Sequence, residues 1–232
     1  EKDSDPIAFS FVFQLIVAFI FLIYTVSTGT FNQPDLRSVW PNLISMALLY
    51  GLGSIFTYHA YKTAEASEIS VIFSSSSLWS VVGASFLLGE KIDNTQMLGM
   101  FLVLLSLVVV NIRNTKWNIG KGHLLAIIGA FMFGVAFTND AFILRKYDSV
   151  ASYMVLAFTV PAFISLIFKP NAIFAVPHFF KPKKILNLLL CASFYALAAI
   201  SIFSAFKAGG QASIISMLRQ SGIIFTVGLS FI

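Results

Sequence analysis

The sequence predicts an all-α polytopic membrane protein, built as two inverted five-helix repeats, of which about eight helices lie in this chain. Three observations carry that expectation. Hydrophobic residues fill 58% of the 232 positions and charged residues only 11%, against about 25% charged in an ordinary soluble domain. The apolar residues fall into runs of about 20, the length that crosses a hydrocarbon core as a helix. Two adjacent runs in the first half also reappear in the second half with their polar residues in the same order.

Taken in order, the runs are 7–27, 41–61, 67–88, 94–112, 122–144, 150–168, 185–206 and 212–232. Most connectors between them are short. Two longer ones, "STGTFNQPDLRSVWPN" and "FKPNAIFAVPHFFKPKK", are rich in Pro and aromatics and read as loops at a headgroup boundary. Run 67–88 gathers Ser70, Ser74, Ser77, Ser80 and Ala84 on one face and turns Trp79 away from it. Run 122–144 carries Ala126, Ala130 and Gly134 at four-residue intervals, a small-xxx-small ridge for helix packing. Gly222/Thr226/Ser230 and Ser76/Ser80/Ala84 offer similar ridges, which suit contacts within one chain or between two, so a homodimer stays open. Trp40 and Trp117, near helix ends, read as interfacial belt residues. Alternating polar and apolar strands of the barrel type are absent.

The repeat sets "NLISMALLYGLGSIFTYHAYK" (42–62) over "NLLLCASFYALAAISIFSAFK" (187–207). Asn42/Asn187, Tyr50/Tyr195 and Lys62/Lys207 coincide, along with several apolar positions. With one residue inserted, "ASEISVIFSSSSLWSV" (66–81) falls on "ASIISMLRQSGIIFTV" (212–227), matching Ser67/Ser213, Ser70/Ser216 and Ser75/Ser221. "DPIA" (5–8) aligns with "DSVA" (148–151). Two units follow, 1–112 and 113–232. Run 122–144 has no counterpart before Glu1, and run 94–112 has none after Ile232. Ten helices are therefore expected, with the first and last lying outside this chain. Five spans per unit would invert one copy relative to the other, a plan that places a solute site at the interface between repeats.

The stretch "YGLGSIFTYHAYKTAEASEISVIFSSSSLWSVVGASFLLGEKI" (50–92), closed by Leu88-Gly89-Glu90, resembles the third and fourth helices of the EamA-like family of the drug/metabolite transporter superfamily. The resemblance extends over essentially the whole chain. It implies a multi-pass transporter of the plasma or inner membrane that moves a small metabolite: an amino acid, organic anion, nucleoside or similar solute. Alternating access through a cavity between the repeats would carry the solute. Family members often hold a proline about where Ser77 stands, and neither Ser77 nor its counterpart Ile223 is proline. The family plan also puts both termini in the cytoplasm. Counting loop charges favours the reverse: Lys2, Lys62, Arg113, Lys116, Lys121, Lys169, Lys181, Lys183 and Lys184 stand against Arg37, Lys91, Arg145, Lys146 and Lys207.

Arg219 is the charge that most needs an explanation, because arginine near a bilayer centre costs about 2.5–3.5 kcal/mol even on lenient scales. It shares a face with Ser216, Gln220, Ile223, Thr226 and Ser230, while Ile214, Met217 and Leu218 face lipid or apolar neighbours. Two accounts stand at this point. Arg219 either snorkels or pairs at a helix end, or it anchors an anionic solute that Gln220, Ser216, Thr226, Ser70, Ser74 and Ser77 orient by hydrogen bonds. Tyr50 and Tyr195, matched and mid-helix, are second-tier binding candidates; packing with a single hydrogen bond explains them as well. Asp140 is the one carboxylate inside a span, and pairing with Arg145 or Lys146 is its expected role, which leaves ion coupling unsupported.

Other function classes fare worse. An intramembrane enzyme would need a paired intramembrane Asp, an HExxH pattern or a histidine base beside "SSSS" (74–77), and none appears. His59, His123 and His178 are scattered and Cys191 stands alone, so no metal or other cofactor is implied; Cys191 reads as a small core residue. Eight spans with an inverted repeat do not fit a seven-helix receptor, and no filter-like motif points to a channel. The net charge of +5 is spread over connectors rather than gathered into a nucleic-acid patch. The expected partners are a small-molecule solute and the lipid bilayer.

Overall fold

The computed structural model describes the backbone of residues 5–32, 36–113 and 120–220. Its helices are α1 (Pro6–Ser27), α2 (Leu36–Thr63), α3 (Ala66–Ser74), α4 (Ser76–Leu88), α5 (Asn94–Arg113), α6 (Lys121–Lys146), α7 (Val150–Phe168), α8 (Pro182–Lys207) and α9 (Ala212–Gln220). No strand occurs among the described residues. Among the described residues six stretches are long and apolar enough to span a bilayer: Pro6–Ser27, Val39–Thr63, Glu68–Leu88, Lys121–Lys146, Val150–Phe168 and Lys184–Lys207. The predicted run 94–112 is helical as α5. Run 212–232 enters as α9, and its remainder, from 221 on, lies outside the described residues, as does Trp117.

Three local departures from the sequence reading have physical causes. The expected helix 67–88 is broken at Ser75, without a proline. Serine hydroxyls bond back onto the helix there, Ser74 Oγ to the Val71 carbonyl at 2.6 Å and Ser77 Oγ to the Ser74 carbonyl at 2.9 Å. Such bonds compete with the helical ladder and bend it. The expected loop after α7 is instead a 3₁₀ segment, Pro170–Phe180, held to α1 because Ala172 and Phe179 bury against Ile7, Ala8 and Phe11. Cys191 is exposed rather than in the core, because α8 turns much of its surface outward, Phe194 and Leu197 included. For an apolar thiol facing lipid, exposure carries no penalty.

Packing in a bilayer cannot rely on expelling water, so helices must approach closely. The predicted ridge on α6 does this: Ala126 and Ala130 are fully buried. A side chain at Gly134 would meet the Ser76 carbonyl oxygen at 2.4 Å and Trp79 Cβ at 2.5 Å. Helix α6 thus lies directly against the break between α3 and α4. Two polar clasps fix it further. Asn42 and Asn139 exchange hydrogen bonds at 2.7 and 2.8 Å, and Thr138 Oγ1 donates to the Ser80 carbonyl at 3.0 Å.

Helices α1 and α7 run antiparallel. At one end Asp5 caps α1, accepting from the amides of Ile7 and Ala8, and takes Lys169 Nζ from the end of α7 at 2.7 Å. At the other end Ser152 Oγ, in the first turn of α7, meets the Asn32 amide and the Thr30 carbonyl just after α1. Burial opposes charge on Asp5, but the Lys169 bond and the two amides outweigh it and hold the carboxyl below its ordinary 3.8. The stabilisation from Asp5 is therefore complete above about pH 4 and is lost as pH falls through the lowered value. With the pair partly exposed to solvent, Asp5→Ala should cost about 1 kcal/mol, mostly through the cap. Acid unfolding in detergent checks this, and Asp5→Asn should flatten the acid limb.

Candidate functional site

A cavity of about 330 Å³ opens between α1, α2, α6, α7, α8 and α9. Its walls are mostly aromatic: Phe13, Tyr50, Tyr58, Phe133, Phe137, Phe158, Tyr195 and Phe203. Polar groups are few, namely Gln14, Ser54, the tyrosine hydroxyls and Arg219. An apolar hollow with a small number of placed polar groups is the usual form of a small-molecule site.

Arg219 does not snorkel. Its guanidinium lies over the Phe137 ring, 4.5 Å from the centroid, and donates to Ser76 Oγ at 3.3 Å. Ser76 is fully buried at the first position of α4, so the break at Ser75 brings this hydroxyl to the arginine. A cation on an aromatic face is attracted by the ring quadrupole and stays less hydrated. Neither contact neutralises the charge. The helix that carries Arg219 is anchored at its start by Glu90, whose carboxylate accepts from the Ala212 and Ser213 amides, from Ser213 Oγ at 2.7 Å, and from Arg145 at 3.1 Å. Gly89, in the left-handed conformation at φ 66°, ends α4 and turns Glu90 into place. An anion at a helix N-terminus is favoured by the helix dipole. Glu90→Gln should lower stability in detergent by about 1–2 kcal/mol, read by thermal unfolding.

Tyr50 and Tyr195, the matched pair, both line the cavity. Tyr195 packs edge-on against Phe13 and Phe158. Tyr50 packs on Phe133 and donates its hydroxyl to Asp140 Oδ2 at 2.5 Å. Asp140 overturns its expected role. It is fully buried, and its other oxygen accepts from Tyr153, also at 2.5 Å. Arg145 is occupied by Glu90, and Lys146 lies over Phe142. The reason is direction: α6 turns Asp140 inward between α2 and α7, whereas the two basic residues at its end face outward.

The serines proposed around Arg219 are placed elsewhere. Ser70 is exposed and sits 3.2 Å from the Tyr61 hydroxyl. Ser74, Ser77 and Ser216 bond back to their own helices, and none of the four is among the cavity's lining residues. The side chain of Gln220, and the whole of Thr226, lie outside the described residues. Sequence reasoning missed Ser76, Gln14, Tyr58 and Tyr153. Gln14 carried a usable signal, a lone amide in the middle of the most apolar run. Its Nε2 donates to Ser10 at 2.8 Å, while its carbonyl oxygen is buried with no protein partner. Among the described residues no cluster of metal-ligating side chains occurs.

Comparison with known proteins agrees with this architecture. Residues 2–112 match the family model described as "EamA-like transporter family". Just under half of the chain is thus similar to the EamA-like transporter family. With that likeness and six stretches able to span a bilayer among the described residues, the protein is an integral, multi-pass membrane protein. A solved structure, titled only as the crystal structure of a protein, superposes with a TM-score of 0.72 at 16% identity, covering 94% of this chain and 76% of its own. At that identity the likeness speaks for the fold alone. No curated protein matches significantly.

Proposed function

We propose that this EamA-like chain moves a compact, carboxylate-bearing solute across the membrane by alternating access, using the aromatic cavity as its binding site. The observation that carries the reading is Arg219, a guanidinium at the cavity wall held by a ring face and a neutral hydroxyl, with its charge unspent. Amino acids and small organic anions fit a hollow of about 330 Å³; nucleosides would leave the cation without use. The division into inverted units 1–112 and 113–232 draws support from the antiparallel course of α1 and α7, which the repeat aligns. In the same way α2 packs on α7 while its counterpart α8 packs on α1. Motion of one unit against the other would open the cavity to each side in turn.

Thermal stability of the full-length protein in detergent tests this against amino acids, organic anions, nucleosides and cationic drugs. A bound solute at 100 times its Kd stabilises by about 2.7 kcal/mol. Carboxylate-bearing solutes should raise the unfolding temperature. Stabilisation by cations alone, or by nothing in the panel, would sink the reading.

A further inference from the structure

We propose that Asp140 is a reversible proton-binding site, and that Tyr50 relays its protonation to the cavity as a turn of one hydroxyl. The inference rests on the cavity being a solute site. It starts from a carboxylate with no exposed surface whose two oxygens each accept from one tyrosine, Tyr50 and Tyr153. Those two bonds do not equal a countercharge, and an ionised group at membrane depth is costly without one.

The surroundings hold few other titratable groups. From α2 comes Tyr50, from α7 Tyr153, from α8 Tyr195 and from α9 Arg219, which lines the same cavity as Tyr50. Helices α3 and α4 also pack on α6, but Glu68 is engaged by His123 at 3.0 Å and Glu90 by Arg145. Arg219 is thus the only nearby cation among the described residues. A solute carboxylate bound at Arg219 would add negative charge to the cavity that Tyr50 lines, so solute and proton would arrive together.

Hydrogen-bond inventory gives the relay. An ionised Asp140 only accepts, so it consumes the O–H of both tyrosines. A protonated Asp140 donates from one oxygen, and the tyrosine facing that oxygen must accept instead. Tyr153 is fully buried and has nowhere else to donate, whereas Tyr50 lines the cavity. Tyr50 therefore passes its hydroxyl proton to Asp140 Oδ2 and takes one from a hydronium ion on the cavity side, which leaves as water. Atoms and charge balance: one proton enters, the carboxylate becomes a carboxylic acid, and Tyr50 stays a neutral phenol. Its new O–H points at the solute rather than at Asp140.

Infrared difference spectroscopy on the full-length protein in detergent, titrated from about pH 9 to about pH 5, reads both halves without a solute. Acidification should raise the high-frequency carbonyl stretch of a buried carboxylic acid, and the tyrosine C–O stretch should change in the same transition. Asp140→Asn should abolish both signals, since its amide permanently mimics the protonated acid. Tyr50→Phe should keep the carbonyl band and lose the tyrosine change, and it serves alone if Asp140→Asn does not fold. A wild type without the band, or a Tyr50→Phe variant whose tyrosine change persists, overturns the proposal. These results are separable from the solute panel. A proton band with no stabilising solute keeps the proton site and removes the transport reading, while a stabilising solute with no band does the reverse.

Discussion

Gly134→Ala should lower the unfolding temperature of the detergent-solubilised protein by on the order of 10 °C, from a loss of about 3 kcal/mol. The added carbon would sit 2.4 Å from the Ser76 carbonyl oxygen and 2.5 Å from Trp79 Cβ. The first is backbone and the second is fixed to it, so neither can yield by a rotamer change. Helix α6 must instead move off the break at Ser75. Gly99→Ala, on α5, makes the control. There a new carbon would meet only the Met217 thioether at 3.4 Å, and removing a mid-helix glycine gains about 0.5–1 kcal/mol. Equal stability of the two variants would mean that the close approach of α6 to the break does not set the packing. The consequence reaches the cavity as well. Ser76 holds Arg219, and Phe137, one turn beyond Gly134, supplies the ring beneath it. Displacing α6 therefore pulls apart both supports of the one cation at the cavity wall.

The membrane spans were legible because the bilayer imposes a length that composition alone reveals. Arg219 was legible for the same reason, as a charge in the wrong solvent. Asp140 was visible but misread. Its sequence neighbours Arg145 and Lys146 offered nearby partners, while the true ones, Tyr50 and Tyr153, lie 90 and 13 residues away. A carboxylate's partner depends on which way the helix faces, and that is settled by tertiary packing. The same limit misplaced the serines. By periodicity Ser74 and Ser77 share the polar face of one helix and Ser216 that of another, yet a serine in a helix can satisfy itself on the preceding turn and need not mark a cavity. Ser76 and Ser77 are adjacent in sequence, and only the break decides that Ser76 meets the arginine. Cys191 failed for a different reason: in lipid an apolar residue has no preference for the interior, so hydrophobicity no longer distinguishes core from surface.

Arg219→Ala should abolish stabilisation by carboxylate-bearing solutes, with a loss of affinity on the order of a hundredfold, while the folded protein keeps its helical content. The magnitude follows from what the residue does. A charge-assisted hydrogen bond contributes about 1.5–3 kcal/mol, and a desolvated ion pair broken from one side costs about 3–5 kcal/mol, so a hundredfold loss, about 2.7 kcal/mol, falls inside that range. Stability of the solute-free protein should change little. The described contacts of Arg219 are one long hydrogen bond to Ser76 and a ring face, and losing them is offset by no longer burying an uncompensated charge. Arg219→Lys separates charge from shape. Lysine keeps the cation but has neither a planar face to lie on Phe137 nor a fork to grip a carboxylate. It should recover only part of the binding, with solute preference relaxed toward simple anions. The opposite pattern, intact solute binding with a large loss of stability in Arg219→Ala, would make the arginine a structural clamp between α9, α4 and α6, and the choice of carboxylate-bearing solutes would fall with it.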